Sequence, residues 1–177
     1  MRHLKVTPAL LLLLLGAFLP ASSASAQEET LIFLVRHAER ADDGAMTGQE
    51  DPHLSQAGYA RAALLAEMLR DAGIQYVHSS DFIRTRETAQ PTADMAGVEI
   101  QLYDHRDPEG FAKQLRSAPG RHLVVGHSNS TPALVAALGG DPHGEINHLE
   151  YDRLYLVRAG PDGVSTVLLR FGAPHGG

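Results

Sequence analysis

Strand-like runs that alternate with helix-like segments predict an α/β fold, a three-layer α/β/α sandwich around a mostly parallel central sheet. Three observations carry that prediction. Short apolar, β-branched runs such as Leu31–Val35 and Leu123–Val125 read as buried strands. Between them, stretches such as Ser55–Asp71 repeat apolar residues at helical spacing. No repeat of solenoid period and no long linker divides the 177 residues, which suffice for one domain with a proper core but not for two.

The first segment stands apart from the fold. Arg2 and Lys5 precede the apolar run Ala9–Leu19, and Ala24-Ser25-Ala26 offers a small-residue cleavage site. Residues 1–26 therefore read as a secretory signal peptide and 27–177 as the mature domain. The apolar run is short for a bilayer, and no other stretch is apolar enough to cross one. The expectation is an exported protein, periplasmic or secreted, with no membrane span once the leader is removed.

Leu31–Val35 is the first strand, and the polar stretch Ala41–His53 leaves it as a loop. Ser55–Asp71 is a helix, with Ala60, Ala63, Leu64 and Met68 at helical spacing and Gly73 near its end. Ile74–Val77 is a short strand, and Asp81–Met95 a helix stopped near Gly97. Val98–Tyr103 alternates apolar and polar residues, as a half-buried strand does. Glu109–Arg116 is a short helix, followed by the strand Leu123–Val125 ending in Gly126. Thr131-Pro132, with Ser130 as cap, starts a helix that runs through Leu138 to Gly139-Gly140. Leu154–Val157 and Val164–Leu169 make a C-terminal strand pair around the turn residues Gly160-Pro161-Asp162-Gly163.

Composition narrows the function. The formal net charge of −6 becomes −8 when the leader takes Arg2 and Lys5 with it. Beyond the leader Lys113 is the only lysine and the arginines are scattered, so there is no basic stripe for nucleic acid. Arginine in an acidic background suits local recognition of an anion. The absence of cysteine excludes disulfides and a lipid-anchored cysteine. His53, His78, His105, His143, His148 and His175 are spread without the close helix-spaced pair of a metal site. They read as solvent-facing, and neither a metal nor a cofactor is expected.

In open α/β sheets ligands sit beyond the carboxyl ends of the strands. Arg36-His37, Ser79-Ser80 and Gly126-His127 all follow a strand, so the architecture gathers two histidines and nearby arginines into one crevice. A neutral imidazole is nucleophilic near neutral pH and can attack phosphorus. Transfer of a phosphoryl group then needs positive donors around its equatorial oxygens. Arginine suits this, because its fork binds two oxygens and stays charged. Arg36 beside His37 fits, and so does Arg84, at the start of a helix whose amino end is itself an anion site. A protonated His127 adds a third positive contact, and Ser128 and Asn129 add donors before the next helix. By spacing alone these residues suggest a phosphate site without deciding it.

Leu34-Val35-Arg36-His37-Ala38-Glu39 resembles the RHG-type signature of the histidine phosphatase superfamily, the phosphoglycerate-mutase-like branch 1, with alanine at the glycine position. His53-Leu54-Ser55-Gln56-Ala57-Gly58 resembles its L-[ST]-x-x-G element. The stretch from Ser79 to Ala89 resembles S-S-P-L-x-R-A-x-x-T-A, which puts the family arginine on Arg84 and leaves Arg86 to pair with Asp81 or Gln90. Val124-Val125-Gly126-His127-Ser128-Asn129 matches V-G-H-[GS]-N. Four elements in order cover Leu31 to Leu138, most of the mature chain. The resemblance implies that His37 accepts the phosphoryl group as phosphohistidine, that Arg36, Arg84 and His127 form the phosphate pocket, and that the substrate is a small phosphorylated molecule.

One family element is missing. Members with mutase or broad phosphatase activity carry a glutamate proton donor in L-x-E-x-x-x-G-x-W-E-G, whereas this chain has no tryptophan. It reads Leu102-Tyr103-Asp104-His105-Arg106-Asp107-Pro108-Glu109 there. Asp104, at a strand end, is the favoured stand-in for the acid, with Asp107 and Glu109 as rivals. The departure argues against phosphoglycerate mutase and leaves two alternatives to a phosphomonoesterase. One is a phospholigand-binding module that lost turnover, the other a protein-phosphohistidine phosphatase. The sequence does not fix the oligomeric state.

Overall fold

A computed structural model describes residues 29–43 and 51–174 of the chain; the expected leader, residues 1–26, lies outside them. The elements run β1 (Thr30–Arg36), α1 (Gln56–Leu69), β2 (Tyr76–Ser79), α2 (Ile83–Ala96), β3 (Ile100–Leu102), α3 (Pro108–Ser117), β4 (Gly120–Gly126), α4 (Ser130–Ala137), β5 (Arg153–Gly160) and β6 (Gly163–Arg170). No helix among the described residues is long and apolar enough to cross a membrane.

The strands form one sheet in the order β3-β2-β4-β1-β5-β6. β3, β2, β4 and β1 are mutually parallel, while β5 runs antiparallel to β1 and β6 antiparallel to β5. The pleat sorts each central strand between two cores. Ile32 and Leu34 pack with Val124, Tyr155 and Val157 beneath Phe111 and Leu115 of α3, Leu134 of α4 and Leu138 just after it. Phe33 and Val35 point the other way, onto Leu65 and Leu69 of α1 and Ala89 and Ala93 of α2. Burial on both faces is why β1 and β4 read as continuous apolar runs. The three-layer sandwich with a mostly parallel sheet is therefore the observed fold.

Local chemistry sets the element ends. Ser55 Oγ accepts from Gly58 N at 3.1 Å and caps α1. Gly58 cannot carry a side chain, because a Cβ there would lie 2.2 Å from the Glu39 carbonyl oxygen. That close approach docks α1 onto the loop leaving β1. Gly97 ends α2 at φ 67°, a left-handed conformation that favours glycine. Asp107 Oδ1 accepts from Gly110 N at 2.9 Å and caps α3, with Pro108 in its first turn.

Several boundaries differ from the sequence expectation. β2 begins at Tyr76, opposite His122 of β4, and not at Ile74. It extends through His78 and Ser79, polar residues that the ladder accommodates because each finds a partner. His78 Nε2 lies 3.0 Å from His122 Nδ1, and Ser79 Oγ donates to the Ser80 carbonyl at 2.8 Å. His78 is thus buried, 7% exposed, and stacked on His122, where the sequence placed it in solvent. β3 is only three residues long, since Val98 N closes α2 on the Ala93 carbonyl at 3.1 Å. β5 starts at Arg153, whose buried guanidinium is held by the carbonyls of His143, Gly144 and Glu145.

Candidate active site

The carboxyl ends of the parallel strands open into a crevice of about 280 Å³. It brings together Arg36, His37, Arg84, His127, Ser128 and Asn129. Phe82, His105, His148 and Arg40 complete its wall.

His37 follows β1 directly. Its backbone N–H donates to the Gly126 carbonyl at 2.9 Å, which ties the end of β1 to the end of β4. Gly126 has no room for a side chain, since a Cβ would lie 2.8 Å from Tyr103 Oη and 2.9 Å from Thr131 Oγ1. The imidazole is 4% exposed. Its Nδ1 lies 2.8 Å from the Ala38 carbonyl oxygen, which can only accept, so Nδ1 carries the proton and Nε2 the lone pair. Burial lowers the His37 pKa well below the ordinary histidine value, with Arg36, His127 and Arg84 adding to the effect against the Ala38 bond. The ring is a neutral base whose lone pair sits on Nε2.

Arg36 is anchored through its guanidinium by backbone carbonyls. Nη1 donates to the carbonyls of Asn147 at 2.9 Å, His148 at 2.7 Å and Glu150 at 3.1 Å. The guanidinium lies 4.1 Å over the ring of Tyr151. Its Nε is buried without a hydrogen-bond partner among the described residues, a donor that a bound oxyanion would satisfy. The carbonyl loop is itself fixed by Glu150, whose carboxylate accepts from Arg153, Arg170 and Asn147 N. Burial pushes the Glu150 pKa up, but those bonds prevail and hold it at about 2.

Arg84 stands in the first turn of α2, its guanidinium 4.4 Å over the ring of Phe82. The amino end of α2 is not an open anion site. Both Asp51 carboxylate oxygens accept from Ile83 N at 3.0 Å, and Oδ1 also accepts from Arg84 Nη1 at 3.2 Å. Asp51 therefore caps the helix and aims the arginine at once. Arg86 pairs outside the site with Asp81, as its position implied.

His127 follows β4, its ring 5.5 Å from that of His37. Nε2 lies 2.8 Å from Ser80 Oγ. Ser80 Oγ donates to Thr85 Oγ1 at 3.1 Å, leaving its lone pair for the Nε2 proton. Burial, then Arg84, His105 and Arg36, lowers the His127 pKa to about 3 and keeps the ring neutral. Ser80 is fully buried, and the sequence marked it only as a strand end.

The proposed acid is not where the sequence put it. Asp104 is exposed, and its Oδ1 accepts from Arg106 N at 2.9 Å within its own turn. Asp107 caps α3 and Glu109 is exposed on the first turn of that helix. None of the three lines the crevice, whereas their neighbour His105 does. His53 and His143 lie exposed, His53 paired with Glu87 and His143 near Asp141. Tyr151 and Asp51 carry no motif signal and join the site through long-range contacts alone.

Residues 32–105 match the family model of the histidine phosphatase superfamily (branch 1). The chain is 39% identical over 71 residues to the "Probable phosphoglycerate mutase GpmB" of Yersinia pestis (strain Pestoides F), a match covering 39% of this chain and 33% of that protein. The chain thus matches only about a third of the length of that relative. Among solved structures it is similar to a mycobacterial glucosyl-3-phosphoglycerate phosphatase, with TM-score 0.62, 17% identity, and 82% of this chain and 99% of that one covered. It is also similar to the protein histidine phosphatase SixA complexed with tungstate, with TM-score 0.59 and 20% identity over 78% of this chain and 94% of that one. These structures share the fold described above.

Proposed function

We propose that the chain is a member of the histidine phosphatase superfamily (branch 1), whose model matches residues 32–105, and that it hydrolyses a small phosphomonoester through a phosphohistidine on His37. The observation that carries the reading is the His37 tautomer. Nδ1 is committed to the Ala38 carbonyl, so Nε2 presents a lone pair inside a crevice walled by Arg36, Arg84 and His127. Nε2 attacks phosphorus in line and the ester oxygen leaves with the bonding pair. Water then attacks phosphorus, and the N–P electron pair returns to Nε2. Arg36 and Arg84 meet the charge on the equatorial oxygens throughout. Burial chiefly keeps His127 neutral and the arginines add to it; a bound dianion offsets the arginines and so favours a proton on that ring, which would add a third cationic donor.

The reading needs no metal, and full activity in excess chelator is the expected result. Rapid denaturation during turnover should trap one base-stable, acid-labile phosphate on His37, absent from His37→Ala. Retention of full phosphatase activity by His37→Ala would sink the proposal. Vanadate binding without hydrolysis of any phosphoester would favour the phospholigand-binding alternative. Hydrolysis confined to phosphohistidine peptides would favour the protein-phosphohistidine phosphatase alternative. Export is part of the proposal and rests on the leader-like residues 1–26; mature protein beginning near Gln27 in a periplasmic or culture fraction is its test.

A further inference from the structure

We propose that His105 is the proton donor to the leaving oxygen and the acceptor of the water proton in the second step. This deepens the phosphatase reading and rests on it. The sheet order delivers His105 after β3, Ser80 after β2, His127 after β4 and His37 after β1, so the four follow one another across the mouth of the crevice. The ring of His127 contacts that of His37 at 5.5 Å and that of His105 at 5.0 Å. His105 therefore comes to the crevice from the far side of His127. In-line displacement needs its proton donor across phosphorus from the nucleophile, and the strand order sets Ser80 and His127 between His37 and His105.

Three further observations point to the same residue. The His105 ring is half-buried and held edge-on by Phe82 at 5.5 Å, so its position is set by packing. Neither ring nitrogen is hydrogen-bonded to a described residue, which leaves both for substrate. No carboxylate among the described residues lines the crevice, and the nearest in sequence, Asp104 and Asp107, are spent on Arg106 N and Gly110 N.

The step balances without another reactant. As His37 Nε2 bonds to phosphorus and the P–O ester bond breaks, the leaving oxygen takes its proton from the His105 imidazolium, giving the alcohol and neutral imidazole. Neutral His105 then takes a proton from the attacking water. The P–OH bond forms, the N–P bond breaks toward Nε2, and hydrogen phosphate leaves with His105 protonated again.

A donor matters most where the leaving group is poor. The test compares kcat/KM, which reports the phosphorylation half-reaction, for glycerol 2-phosphate and p-nitrophenyl phosphate. His105→Ala should lower the value about 100-fold for the alkyl ester and less than about fivefold for the aryl ester. Asp104→Asn, Asp107→Asn and Glu109→Gln should leave the ratio of the two substrates unchanged. An equal fall on both esters in His105→Ala means a structural role and overturns the donor assignment alone. A larger selective loss in one of the carboxylate variants overturns it in favour of that carboxylate. Failure of the wild-type protein to hydrolyse either ester, with vanadate still bound, defeats the phosphatase reading and the donor with it.

Discussion

Replacing Glu150 by glutamine removes one negative charge from a buried network and leaves two arginines facing an amide. Glu150 is 3% exposed, and its carboxylate receives Arg153 Nε at 2.6 Å, Arg170 Nη1 at 2.6 Å and Asn147 N at 3.0 Å. A carboxyl held at about 2 instead of 4.5 contributes about 3 kcal/mol at neutral pH, at about 1.4 kcal/mol for each pH unit. Breaking a buried ion pair from one side costs about the same, roughly 3–5 kcal/mol. Because the folded-state value is depressed, the contribution is complete above pH 4.5 and is lost as pH falls toward 2. By pH 3 about 1.4 kcal/mol remains. Thermal melts followed by circular dichroism should place Glu150→Gln roughly 6–12 °C below wild type at pH 7. The gap should shrink to roughly two-fifths of that at pH 3. A drop under about 2 °C at pH 7, or a gap of the same size at both pH values, refutes the assignment of Glu150 as the charged centre of this network.

Other perturbations separate the roles of the pocket residues. Arg36→Lys keeps the charge but not the fork that serves three loop carbonyls and the ligand together, so kcat/KM should fall about 100-fold or more; a loss under about threefold would contradict the geometry. Asp51→Ala removes the α2 cap and one partner of Arg84, and denaturant titration should show a loss of about 1 kcal/mol together with a several-fold higher KM. Long-range nitrogen-edited NMR of the imidazoles should find His37 neutral with its proton on Nδ1 at pH 5, where an ordinary histidine is mostly protonated; an imidazolium there would rule out the depressed pKa.

The sheet and its layers were legible because their signals are local. Leu31–Val35 and Leu123–Val125 are unbroken apolar runs only because β1 and β4 are covered on both faces. Arg36, His37, Arg84 and His127 were legible from the motifs around strand ends. What escaped depends on partners distant in the chain. His78 and Ser79 look like loop residues until His122 and the Ser80 carbonyl satisfy them. Asp51 reads as part of a polar loop, yet its carboxylate meets Ile83 N 32 residues later. Asp104 attracted attention as an acid at a strand end, but a one-residue difference in direction turned it to solvent and its neighbour His105 inward. Carboxyl chemistry is visible in a sequence, whereas the facing of a loop side chain is not.

The place of β1 in the sheet has a consequence for how the protein comes into being. Thr30 pairs with Gly120 on one side and with Ala159 on the other, so the strand that ends at His37 lies between partners synthesised much later. Early in folding it has no edge to join, and contacts of such sequence separation form slowly. The Gly126 carbonyl that fixes His37 and the Asn147–Glu150 carbonyls that anchor Arg36 arrive with those same late segments. A nascent or truncated chain thus carries the histidine but not its geometry. On the proposed mechanism, phosphate capture on His37 would report completed folding, and a chain lacking its C-terminal hairpin should fail it however well its helices form.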